Sequence, residues 1–173
     1  KDSMNNQEQA FREALLAVLP RLRRYCYVLT NNRHDADDLL QAAAEKALLR
    51  WQQFQPGSQF DRWIYRLCRN HWIDTMRTSA PTEELQDEHT DSSSWPSAEQ
   101  LAETGQLLQQ ARKRMGLLSE NLRMVLYLVA VEGRSYQEAA EILNVPTGTV
   151  MSRLARARAQ ICQQNNEMKE ASE

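Results

Sequence analysis

Glycine and proline are scarce in this chain, five of each in 173 residues. A sequence so poorly supplied with turn residues is not built from many short strands and tight hairpins. No segment sustains the apolar–polar alternation of a half-buried strand, so an all-α fold is expected. No apolar run approaches the length of a bilayer span, and no signal-peptide pattern is present. Direct membrane insertion is therefore not expected, and the cytoplasm is the expected compartment. Lys1 to Ser3 precede Met4 and read as foreign to the natural start. Cysteine is rare as well. Cys26, Cys68 and Cys162 are scattered and odd in number, which excludes a paired disulfide framework and fits a reducing environment. An excess of positive charge is also missing: 21 basic residues face 23 acidic ones, a net charge of −2. That excludes a protein that coats DNA without regard to sequence, since phosphate neutralisation supplies such affinity.

What is present is periodic. The stretch from Ser135 to Ile161 reads as two short helices around a tight turn. Ser135 with Glu138 three residues on forms a capping box. Ala139, Ile142 and Leu143 supply one apolar face. Asn144 can adopt the left-handed conformation that closes a helix, and Pro146 blocks its continuation. Thr147 or Gly148 then opens a second helix with Val150, Leu154, Ala157 and Ile161 along one side. Thr149, Ser152, Arg153 and Arg156 project from the other. This is the layout of a helix-turn-helix, whose second helix enters the DNA major groove. Arginine can pair bidentately with guanine or grip phosphate, and short hydroxyls reach phosphate oxygens. A plain helical hairpin with a wetted basic face would lack the turn chemistry.

The remaining chain reads in order. An amphipathic helix over about 7–29 buries Phe11, Leu15, Val18, Leu22, Cys26 and Leu29, with a kink expected at Pro20. A second helix runs to about Phe54, with Ala36, Leu40, Ala43, Ala47, Trp51 and Phe54 inward. Asp35, Asp37 and Asp38 at its start complement the helix dipole. Asp38, Gln41 and Glu45 form an outward ridge, wet or used for docking. A third helix over about 59–77 places Phe60, Ile64, Leu67, Cys68 and His71 inward. Arg62, Arg66, Arg69 and Arg77 make a basic stripe interleaved with Trp63, Tyr65, Asn70 and Trp72. Rings beside arginines suit single-stranded DNA, where bases stack and cations track phosphates; the competing reading is that the tryptophans are core. Helices over about 98–115 and from Ser119 to Gly133 precede the helix-turn-helix.

Charge divides the chain. Residues 1–77 carry twelve basic and nine acidic side chains, residues 78–97 five acidic and none basic, and residues 98–173 nine of each. The middle stretch is polar and aperiodic and reads as a flexible acidic linker between two small helical domains, 1–77 and 98–173. No phosphate loop or nucleophile–base spacing suggests an enzyme. Cys68 and His71, three apart on one helix, find no second ligand pair to complete a zinc site, so neither metal nor other cofactor is expected.

With both halves read, the sequence resembles the extracytoplasmic-function (ECF) class of bacterial RNA polymerase sigma factors of the sigma-70 family. Asp35–Gln41 resembles the polymerase-binding helix of region 2.2. Phe60–Arg77 resembles the promoter-melting helix of regions 2.3 and 2.4, and Glu132–Arg158 resembles region 4.2. The resemblance implies core RNA polymerase as partner, with Asp38, Gln41 and Glu45 on the β′ clamp helices and further contact with the β subunit. It implies promoter DNA as ligand, with Arg62, Trp63, Tyr65, Arg66, Asn70 and Arg77 at the −10 element. The 52–59 loop would help capture an unstacked base. Thr149, Ser152, Arg153 and Arg156 would read the −35 element, with Arg134 and Tyr136 near backbone phosphates. An anti-sigma factor is the implied regulator, able to hold the protein at the inner membrane. Two departures stand out: Ala42, Ala43 and Ala44 follow Gln41 where an acidic residue and a bulky apolar pair are usual, and Met151 stands where lysine is common. The rival reading is a stand-alone helix-turn-helix regulator that binds an operator without polymerase.

Overall fold

The computed structural model describes residues 2–79 and 104–172. Among them every regular element is helical, and the chain divides into two compact units, 1–87 and 88–173. Most of the expected 78–97 linker lies outside the described residues, apart from Thr78 and Ser79, which extend a helix.

The first unit is built from three long helices. α1 spans Asp2–Thr30, α2 Arg33–Leu49 and α3 Phe60–Ser79. α1 buries Phe11, Leu15, Val18, Leu22, Cys26 and Leu29 at helical spacing, together with Tyr25. The helix continues through Pro20, which sits on the exposed side. The carbonyl that proline leaves unbonded belongs to Leu16, itself 67% exposed, so water can satisfy it. Asn31 closes α1 at φ +53, and the Asn32 side chain caps α2 by accepting from the Asp35 N–H at 3.1 Å.

α2 packs against both α1 and α3. Its buried line is Ala36, Leu39, Ala43 and Ala47; Leu39 rather than Leu40 points inward, and Leu40 is only half-buried. A helix gripped on two sides needs small residues on both flanks. That accounts for the alanine triplet: Ala43 is fully buried, while Ala42 and Ala44 flank it half-buried. After a single turn at Trp51–Gln53, Phe54 joins Phe11, Phe60 and Trp63 in an edge-to-face aromatic cluster with centroids 5.2 to 6.4 Å apart.

Farther along, Tyr65 stacks on Tyr25 at 4.2 Å, both fully buried. Beside them the Cys26 and Cys68 thiols lie 3.4 Å apart. The hydrogen bond with Cys26, then burial, pushes the Cys68 thiol well above its ordinary range. Burial does the same to the Tyr25 phenol. The Tyr25 hydroxyl finds no hydrogen-bond partner among the described residues, and a buried polar group left unpaired costs about 1–3 kcal/mol. Tyr25→Phe is therefore expected to raise the stability of this unit by about 1 kcal/mol. Denaturant unfolding followed by the fluorescence of Trp51, Trp63 and Trp72 measures it.

The second unit begins with α4, Thr104–Gly116. α5, Glu120–Leu126, widens into a looser turn at Tyr127–Val131, where the Glu132 N–H reaches back five residues to the Tyr127 carbonyl at 3.0 Å. Gly133 at φ +69 ends that segment. α6, Tyr136–Leu143, and α7, Thr147–Glu170, complete the unit. Leu118, Leu122, Leu126, Leu154 and Ala157 form one core cluster, with Met115, Val129 and Ile161 packed around it. Arg123 is buried in this unit, its guanidinium donating to the Leu118 carbonyl at 2.8 Å.

The joint between α6 and α7 follows the sequence closely. The Ser135 hydroxyl accepts from the Glu138 N–H at 3.1 Å. Asn144 takes φ +53 and ψ +50, and the Val145 N–H bonds the Ala140 carbonyl at 3.1 Å, which satisfies the α6 carbonyl end. A β-branched side chain tolerates that left-handed conformation poorly. Asn144→Val is expected to destabilise the second unit by about 1–2 kcal/mol, and Asn144→Gly is expected to be near neutral; amide hydrogen exchange over α6 and α7 checks both.

Candidate nucleic-acid interface

The surface of α7 is set by its buried side. Val150, Leu154 and Ala157 face the core, which turns Gly148, Met151, Ser152, Ala155 and Arg156 into solvent and leaves Thr149 and Arg153 half-buried at the margin. The Ser152 hydroxyl donates to the Thr149 carbonyl at 3.1 Å. Tyr136, at the first turn of α6, is 38% exposed.

Arg134 does not join this surface. Its side chain is 9% exposed, held by Glu132 at 3.1 Å with Glu138 at 3.9 Å. A guanidinium clasped between two carboxylates and largely screened from water braces the entry to α6.

On α3 the expected stripe is partly realised. Arg66, Asn70 and Arg77 are exposed, and Arg62 and Trp63 are half-buried. Trp63 packs into the aromatic cluster with Phe11 and Phe60 and stays half-buried, so part of the ring belongs to the core and part is left at the surface. Tyr65 is the clear correction: fully buried and stacked on Tyr25, it has no surface to offer a base. Tyr25, equally buried, went unread in α1 because Cys26 beside it already completed the periodic stripe. His71 is half-buried, and burial followed by nearby Lys46 lowers its pKa from the ordinary 6.5. Among the described residues no cluster of three or more histidines, cysteines or carboxylates could hold a metal ion.

α2 presents Asp38, Gln41 and Glu45 outward on one ridge, all exposed. Asp38 lies 3.5 Å from His34, and the Gln41 amide donates to Glu45 at 3.2 Å. Sequence reasoning missed the continuation of this ridge into Leu48 and Leu49, which are 47% and 85% exposed. Their position outside the alanine line was the available signal.

It also missed the contribution of α1 to the 52–59 loop. A cavity of about 610 Å³ is lined by Ser3, Asn6, Gln7 and Ala10 of α1 and by Gln52 to Pro56 of the loop. Five carboxamides and no charged side chain face it. The Gln7 amide donates to the Phe54 carbonyl at 2.8 Å, tying the loop to a helix 47 residues away in sequence. Removing that anchor should free the loop while the Phe11–Phe54–Phe60 cluster persists. Gln7→Ala is expected to speed amide hydrogen exchange at Phe54 to Ser58 severalfold and leave α2 and α3 unchanged.

One unit carries exposed arginines and a half-buried indole on a single helix, and the other carries a helix-turn-helix, a pairing suited to a DNA-directed protein. Residues 15–82 match the family described as Sigma-70 region 2, and residues 108–161 match Sigma-70, region 4. The ECF RNA polymerase sigma factor EcfG of Rhodopseudomonas palustris is 32% identical over 154 residues, covering 88% of this chain and 83% of that protein. The ECF RNA polymerase sigma-E factor of Escherichia coli is 31% identical, covering 73% and 72%. Among solved structures, the sigma factor RpoE of Bartonella quintana, determined with the anti-sigma factor NepR, superposes with a TM-score of 0.66 at 28% identity, covering 88% of this chain and 94% of that one. CnrH, solved with the cytosolic domain of CnrY, shares the fold at a TM-score of 0.63 and 22% identity, covering 92% and 89%. The chain belongs to the ECF RNA polymerase sigma factors. Its partners are accordingly core RNA polymerase and promoter DNA, and its function is to direct the polymerase to promoters and promote their melting.

Proposed function

We propose a division of labour between the two units, residue by residue. Asp38, Gln41 and Glu45 on α2 dock the first unit on the β′ clamp helices of core polymerase. Arg62, Trp63, Arg66, Asn70 and Arg77 on α3 engage the −10 element. There the exposed part of the Trp63 ring stacks on an unpaired base, worth about 1–3 kcal/mol, while the arginines track phosphates. The amide-lined cavity between α1 and the 52–59 loop accepts an unstacked base of the non-template strand. Neutral amides carry both a donor and an acceptor, the complement of a base edge. On the second unit, Thr149, Ser152, Arg153 and Arg156 lie against the −35 duplex, with Tyr136 near a phosphate. The boundaries 1–77, 78–97 and 98–173 divide these tasks.

The single observation that carries this reading is the pairing on one chain of two outward arginine surfaces, on α3 and on α7, each backed by its own apolar core. The chain supplies binding energy and selectivity, and bond-making stays with the polymerase. An anti-sigma factor that masks the polymerase-binding surfaces is the matching regulator; the relative solved with NepR supports it. The cytoplasm is the proposed site of action, and no described helix is long and apolar enough to cross a membrane. The operator-binding alternative would require tight DNA binding by the chain alone.

Run-off transcription with core polymerase tests the assignment. Asp38→Arg combined with Gln41→Ala is expected to weaken core binding at least about tenfold, since it reverses charge on a shared ridge. Arg156→Ala is expected to leave core binding intact and to cost about 1–3 kcal/mol of −35 selectivity. Unchanged selectivity in both Arg153→Ala and Arg156→Ala would remove the −35 assignment.

A further inference from the structure

One exposed strip of α7 is apolar where a DNA-reading helix would be expected to be polar. Over its first three turns Gly148, Met151 and Ala155, spaced three and four apart, lie exposed along one strip, with Ser152 beside them. Of these only Ser152 can hydrogen-bond, and its hydroxyl already donates to the Thr149 carbonyl. Met151 stands 53% exposed. Gly148 is unexplained by the protein itself. Its φ is not positive, and a Cβ added there would meet nothing within 4 Å. A glycine in the first turn of a helix, without any internal need for it, fits a close approach by something outside the chain.

In the major groove the bulky apolar group is the 5-methyl of thymine. We propose that Met151 and Ala155 form a methyl-reading strip, with Met151 packed on the 5-methyl of a −35 thymine and Gly148 admitting the backbone close to the DNA. Specificity at that pair is then apolar, while Arg153 and Arg156 on the adjoining flank supply charge and hydrogen bonds. This rests on the assignment of α7 to the −35 element.

The test uses holoenzyme assembled from core polymerase and the full chain, on a promoter selected from a random library. Each −35 thymine is replaced in turn by deoxyuridine, which removes the methyl group alone, and open-complex formation is measured. One thymine is expected to be sensitive, with a loss of about fourfold, the value of one buried methyl. Met151→Ala, a surface change, is expected to lose a similar factor on the thymine promoter and to become indifferent to deoxyuridine. Gly148→Ala is expected to weaken promoter binding severalfold although it favours the free helix. The proposal is overturned if the selected element contains no thymine, if no thymine is sensitive, or if Met151→Ala keeps the full response to deoxyuridine. Full binding by Gly148→Ala overturns the close approach. Arg156→Ala is the reference: if it loses −35 selectivity while Met151→Ala changes nothing, the methyl strip alone is wrong. If neither variant matters, the −35 assignment falls with it.

Discussion

Charge is the constraint on which everything else depends. DNA is a dense polyanion, and proteins that hold it unaided neutralise several phosphates with surplus lysine and arginine. This chain has no surplus: its net charge is −2, and residues 98–173, which include the helix-turn-helix, balance at nine basic and nine acidic. Even within that balance Arg134 is spent on Glu132 and Glu138, and Arg123 is buried against a backbone carbonyl. A protein so constituted can discriminate among sequences once it is brought to DNA, but it has little with which to stay there. Membership in a family that works on core polymerase resolves the deficit, because the polymerase supplies the grip and this chain supplies the choice.

The fold serves that economy by fixing surfaces cheaply. In the second unit a single left-handed residue, Asn144, and the break at Pro146 set where α7 begins, and the Val150–Leu154–Ala157 line then determines its outer face. In the first unit α2 is held on two sides by alanine contacts, which leaves its third side free as a ridge. The Gln7 anchor and the aromatic cluster hold the loop after α2 at Phe54, one by its carbonyl and the other by its ring. Each outward surface is thus the complement of a buried one.

The elements were largely legible because their signals are local. The capping box at Ser135, the Asn144 and Pro146 stop, and the three- and four-residue apolar intervals all act within one or two turns. What the sequence concealed was tertiary. Tyr65 lies between arginines in the sequence, but its one-residue offset from Ile64 still falls inside the buried arc of α3, where Tyr25 waits to stack on it. Leu39 and Leu40 are adjacent, and only the grip of two neighbouring helices chooses Leu39. Arg134 looks like a free cation until Glu132 and Glu138 are seen around it. The joining of α1 to the loop after α2 is a contact across 47 residues, beyond the reach of any periodicity.

The most direct test of the central claim is a promoter-binding measurement on the pure full-length chain with and without core polymerase, at about 0.15 M salt. The account predicts a promoter-specific complex only when the polymerase is present, with the chain alone giving no footprint at micromolar concentration. A tight, sequence-specific footprint from the chain by itself would contradict it.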